Sequence, residues 1–100
     1  MKPASHLSDI TPGEILIEEF MKPHGLSQNR LSKAPGVSPM TIYEIVNGKR
    51  SITAEIAMRL GRYFGIAPQF WLNLQARYDI EKVEDAIGKR LRDKVRPLAA

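Results

Sequence analysis

Four times in the first 53 residues a serine or threonine stands directly ahead of a short apolar-periodic run, and no stretch of the chain alternates with period two. Thr11-Pro12-Gly13-Glu14 sets a hydroxyl cap, a proline at the first helical position and a glutamate three after the cap, which together form a capping box. Ser27 and Thr53 are hydroxyl caps, and Ser38-Pro39 repeats the cap-then-proline signature. The stops are equally clear: Pro23 and Gly25, Pro35-Gly36, Asn47-Gly48 and Gly65. The spacing predicts helices over residues 12–22, 28–33, 39–47 and 54–64, a fifth opening at Pro68, and a sixth amphipathic stretch following Asp79-Ile80. The expected class is all-α, with five to six short helices joined by short loops.

One hundred residues, 43% hydrophobic and 26% charged, suffice for one small core and leave little for a deep substrate pocket. The absence of cysteine excludes disulfides, thiolate zinc sites, iron–sulfur clusters and cysteine nucleophiles, and fits a reducing compartment. No apolar run approaches the roughly 18 residues that span a bilayer, and the first 25 lack the apolar core of a signal peptide, so no membrane association is expected and the location read is the cytoplasm. His6 and His24 lie eighteen apart, a spacing that fits no common metal site. Without a GxSxG, HExxH, P-loop or GxGxxG motif, neither catalysis nor a cofactor is expected.

Charge is distributed unevenly. The net charge is +4, yet residues 1–20 carry one base and four acids, whereas residues 21–50 carry five bases and one acid. The organisation read from this is a polar N-terminal arm over residues 1–10, a helical domain over 11–79, and a C-terminal helix with a basic tail over 80–100. In that tail, residues 89–96 hold five bases to one acid, a charge that suits a helix C-terminus.

The two short helices around Pro35-Gly36 have the form of a helix-turn-helix. Leu31, Val37, Ile42 and Ile45 are its expected core, Ser32 is small where the helices approach, and Gly36 permits the turn. Pro39, Met40, Thr41, Tyr43, Glu44 and Asn47 then face outward from the second of these helices, whose first turn would enter a major groove. Gln28, Asn29 and Arg30 on one side and Lys49-Arg50-Ser51 on the other suit phosphates flanking that groove. Periodicity by itself fits equally well a helix pair that touches no nucleic acid. Trp71 is expected in the core, and Phe70, Leu74, Ile80, Val83, Ile87 and Leu91 at a two-fold interface, because a small DNA reader gains affinity from two half-sites.

The segment SQNRLSKAPGVSPMTIYEIVNGKRSIT resembles the helix-turn-helix of the lambda-repressor-like (XRE) superfamily. The preceding TPGEILIEEFMKPHGL and the following APQFWLNLQARYD narrow the resemblance to the HigA, or VapI-like, branch of antitoxins over residues 11–79. The resemblance implies a cytoplasmic bacterial antitoxin that binds a HigB toxin, a ribosome-dependent mRNA endonuclease, and represses the shared operon as a homodimer on double-stranded operator DNA. By position in the superfamily motif, Ser38, Pro39, Met40, Thr41, Tyr43 and Glu44 would line the groove, Gln28 would bond a phosphate, and Asn47 and Lys49 would approach the backbone. The alternative function is a stand-alone repressor of the same superfamily with no toxin. Two positions depart from the motif: Ser32 replaces alanine, and Pro35 replaces a large aliphatic residue. The proline removes a bond from its own nitrogen to the Leu31 carbonyl, so this helix is expected to end about a residue early. Pro39 offers no side-chain hydrogen bond and Met40 little beyond apolar contact with a thymine methyl, which assigns discrimination chiefly to Thr41 and Tyr43. For the toxin, charge complementarity points to the acidic first helix at Glu14, Glu18 and Glu19.

Overall fold

A computed structural model describes residues 10–99, so nine of the ten residues of the expected N-terminal arm lie outside it. Among the described residues there is no strand. The chain forms α1 (Pro12–Ile15), which runs directly into a π-helical segment (Leu16–Met21), then α2 (Gln28–Lys33), α3 (Pro39–Val46), α4 (Ala54–Phe64) and α5 (Pro68–Lys94).

All four hydroxyl caps act as the sequence predicts. The Oγ1 of Thr11 accepts from the Glu14 amide, and the Glu14 carboxylate accepts from the Thr11 amide, each at 3.1 Å. Ser27 and Ser38 accept from the Arg30 and Thr41 amides at 3.1 Å, and Thr53 from the Ile56 amide at 3.4 Å. Each bond satisfies a donor that a helix start leaves unpaired.

The core is the expected one. Leu31, Val37, Ile42 and Ile45 are buried together with Leu16, Met21, Ile52, Ala57, Leu60 and Trp71. Trp71 is fully enclosed, and the rings of Phe20, Phe64 and Phe70 pack on it at centroid distances of 4.8, 6.1 and 5.1 Å. Its Nε1 finds no hydrogen-bond partner among the described residues, so the indole is held for its volume and ring contacts. Gly13 is the point where α1 crosses α3: a Cβ there would run into the Ile45 carbonyl oxygen.

Two elements differ from the sequence expectation. The first helix is π-helical over half its length, with the Lys22 amide donating to the Ile17 carbonyl at 2.9 Å. In this wider turn residues five apart stack, so Leu16 and Met21 share the buried face. The expected fifth and sixth helices are one helix of 27 residues. No glycine or proline interrupts residues 69–87, and Asp79 caps nothing: its carboxylate accepts from Gln75 Nε2 at 3.0 Å one turn back. The inner part of α5 carries Trp71 and Gln75 into the core, whereas Ile80, Val83 and Leu91 on the outer part are exposed.

Candidate nucleic-acid interface

The turn between α2 and α3 sets the presentation of everything beyond it. α2 ends at Lys33, Ala34 keeps helical dihedrals, and Gly36 then turns the chain at φ 73°. The Val37 amide closes the turn onto the Ser32 carbonyl at 3.1 Å. Pro35 is buried, and its exposed carbonyl neighbours are covered from another element: Arg59 on α4 donates from Nη1 to the Pro35 and Gly36 carbonyls at 3.2 and 3.4 Å and pairs with Glu55 at 3.0 Å. Ser32 is buried and donates to the Asn29 carbonyl at 2.8 Å, which gives the hydroxyl that replaces alanine a partner within its own helix.

Along α3 the outward side chains divide into two edges. One edge faces an open cleft between the first turns of α2 and α3, lined by Ser27, Gln28, Asn29, Pro39, Met40 and Tyr43. Met40 is 61% and Tyr43 47% exposed, and neither forms a side-chain bond among the described residues. On the other edge the polar groups are already engaged. Ser38 Oγ donates to Thr41 Oγ1 at 2.9 Å, in addition to capping the helix. The Glu44 Oε1 accepts from Arg50 Nε and lies 2.7 Å from Arg50 Nη2. Asn47 turns its amide back onto the Tyr43 carbonyl at 2.8 Å.

The candidate DNA-contacting residues thus stand in three different states. Gln28, Asn29, Arg30 and Lys49 present side chains that carry no bond among the described residues, as do Pro39, Met40 and Tyr43. Ser38, Thr41 and Asn47 are committed to the local backbone and to one another, and Glu44 and Arg50 to each other. Lys49 and Arg50 line a second recess with Gly13, Tyr78, Asp79 and Lys82, so α5 and the start of α1 flank the loop that follows α3.

Two residues that matter here escape the sequence reading. Gln75 is buried, and its Oε1 accepts from the Ile52 amide at 2.9 Å, which pins the loop carrying Lys49 and Arg50 against α5. Arg59 clamps the turn. A glutamine among apolar residues on one helix and an arginine on another announce neither partner, because those partners are backbone atoms 23 and 24 residues away.

Of the residues expected at a two-fold interface, Leu74 is partly buried against the core, and Phe70 is exposed with its ring edge-on to Phe20 at 5.9 Å and to Trp71 at 5.1 Å. Ile80, Val83, Ile87 and Leu91 lie along the outer part of α5, with Ile87 half-buried and the other three exposed. On the first helix, Glu14 is bound into the capping box and Glu18 pairs with Lys22 at 2.9 Å, so Glu19 is the acid there without an ion pair among the described residues. His24 sets Nδ1 3.1 Å from the Phe20 carbonyl and stands edge-on to Phe64.

Residues 17–71 match the helix-turn-helix family. Virulence-associated protein I of Dichelobacter nodosus is 56% identical over 75 residues, 75% of this chain and 69% of that protein. An addiction module antidote protein of the HigA family from Coxiella burnetii superposes with a TM-score of 0.85 at 44% identity, over 89% of this chain and 97% of that one. The antitoxin HigA of Pseudomonas aeruginosa, solved with the higBA promoter, superposes with a TM-score of 0.85 at 42% identity, over 90% of this chain and 98% of that one.

Proposed function

The chain belongs to the XRE-type helix-turn-helix family, on its HigA-like branch, and from that membership we propose that it is an antitoxin that represses its own operon and neutralises a HigB-type, mRNA-cleaving toxin by protein–protein binding. The observation that carries the DNA-binding part is the open cleft at the first turns of α2 and α3, with Arg30 on α2 and Lys49 after α3 both exposed and without an ion pair among the described residues. In the groove, the first turn of α3 faces base edges while Gln28, Asn29, Arg30, Lys49 and Arg50 hold phosphates. A two-fold dimer through Ile80, Val83, Ile87 and Leu91 sets the spacing of two half-sites. The protein acts without catalysis, and in the cytoplasm; no described helix is long and apolar enough to cross a membrane.

Toxin binding is assigned to the acidic side of the first helix, around Glu18 and Glu19, facing a basic ribonuclease. The test has two arms. Fluorescence anisotropy compares the protein's own upstream DNA with a scrambled duplex at two salt concentrations, because salt separates phosphate attraction from readout. A preference for the upstream duplex that survives the higher salt is the expected result, and equal binding overturns the repressor reading. A gene for a small basic protein is expected next to this one, and co-expression of its product should yield a co-purifying complex and rescue growth, whereas the absence of such a gene favours a stand-alone repressor. Charge reversal at Glu18 and Glu19 should abolish the complex and leave DNA binding intact.

A further inference from the structure

The division of α3 into a free and an engaged edge decides what chemistry is left to read bases. Thr41 Oγ1 accepts from Ser38 Oγ at 2.9 Å, which leaves that hydroxyl its own O–H to donate, and Glu44 Oε1 is paired with Arg50 at 2.7 Å, so the two outward groups of α3 best suited to hydrogen-bond a base edge are both oriented by internal partners. The outward residues that remain unengaged on its first two turns are Pro39, Met40 and Tyr43, all lining one cleft. Pro39 has no polar side-chain atom, Met40 a thioether, and Tyr43 an aromatic face with one hydroxyl. Facing the polar edges of a major groove, such a surface finds one apolar partner, the 5-methyl group of thymine.

We propose that Met40 and Tyr43 determine specificity by packing on thymine 5-methyl groups, with Thr41 and Glu44 holding the helix start and Arg50 in place instead of reading bases. The assignment rests on the DNA-reading role proposed above. It shifts discrimination from hydrogen bonds to apolar contact, so the recognised half-site carries thymine beneath the first two turns of α3. A buried methyl group is worth about a fourfold change in affinity, so a duplex occupied by two protomers changes by about 15-fold when each loses one such contact.

The experiment replaces every thymine of the upstream duplex by deoxyuridine, which removes the methyl groups and leaves the hydrogen-bonding edges unchanged. The wild-type protein should bind the deoxyuridine duplex at least about 15-fold more weakly than the parent, the value for one lost methyl contact per protomer. Met40→Ala and Tyr43→Ala should bind the parent weakly and lose part or all of that penalty, whereas Tyr43→Phe, which keeps the ring, should retain it. Met58→Ala removes a methionine that is 63% exposed on α4 and lines none of this cleft, and should behave as wild type. Circular dichroism and thermal melting check that each variant folds. Equal wild-type affinity for parent and deoxyuridine duplexes overturns the proposal, as does a penalty undiminished in Met40→Ala and Tyr43→Ala. Loss of the penalty in Tyr43→Phe removes Tyr43 from it and assigns that residue's role to its hydroxyl. No preference for the parent over a scrambled duplex is a separate result, which overturns the DNA-reading role itself and the proposal with it.

Discussion

A single buried amide shows how the loop of Lys49 and Arg50 depends on a residue far from it. Gln75 accepts from the Ile52 amide with one end and donates to Asp79 with the other, at 2.9 and 3.0 Å. Gln75→Leu keeps the volume but leaves the Ile52 N–H without its acceptor, a loss expected to cost about 1–3 kcal/mol in urea unfolding. Because the same bond holds the loop of Lys49 and Arg50, the variant should also lose DNA affinity at temperatures where it remains folded. Lys49 and Glu44 separate by a different measurement. Lys49→Ala removes one exposed cation proposed to hold a phosphate, so the slope of log K against log salt should fall by about one, nearly independent of sequence. Glu44→Ala leaves Arg50 untethered. The effects of Glu44→Ala and Arg50→Ala on DNA affinity should therefore be non-additive in a double-mutant cycle, and additive effects would argue against a positioning role for Glu44.

At the scale of the element, α3 is eight residues long and depends on its cap. Ser38→Ala removes the acceptor for the Thr41 amide and should cost about 1 kcal/mol, with most of it restored by Ser38→Asp. The caps and stops that delimit α2, α3 and α4 were legible in the sequence because each is a local bond between residues three apart. The π-helical turn at Leu16–Met21 was not, since the α-helical stripe of Ile15, Leu16 and Phe20 describes the same segment nearly as well. What selects the wider turn is burial of Leu16 and Met21 together in the shared core, an environment that the local sequence does not contain. The merging of the fifth and sixth predicted helices has a simpler cause. Asp79 looks like a helix breaker or cap in sequence, yet its carboxylate is held within the helix by Gln75.

Taken whole, the molecule is a compact helix-turn-helix core from which one long helix carries an apolar row outward. Ile80 is 69%, Val83 48% and Leu91 40% exposed, spaced along one stripe with Ile87. If that row joins two protomers, Val83→Lys with Ile87→Lys should give a monomer by multi-angle light scattering with undiminished helicity. DNA affinity should then fall by at least tenfold, because the two half-sites are no longer bound as a unit. A variant that stays dimeric would place the two-fold contact elsewhere.

The sequence by itself determined the all-α class, the four capped helix starts, the turn at Pro35-Gly36, and the buried set of Leu31, Val37, Ile42 and Ile45. These follow from interactions between residues a few positions apart, which the chain encodes wherever it folds. Tertiary structure alone decided which of the candidate DNA contacts are free. Glu44 and Arg50 meet across six positions, Arg59 reaches the Pro35 carbonyl, and Gln75 reaches the Ile52 amide, each pairing made only when separate elements pack. In the proposed reading a polar side chain becomes a reader or a brace according to whether the fold supplies it an internal partner, and Met40 and Tyr43 line the open cleft with none among the described residues.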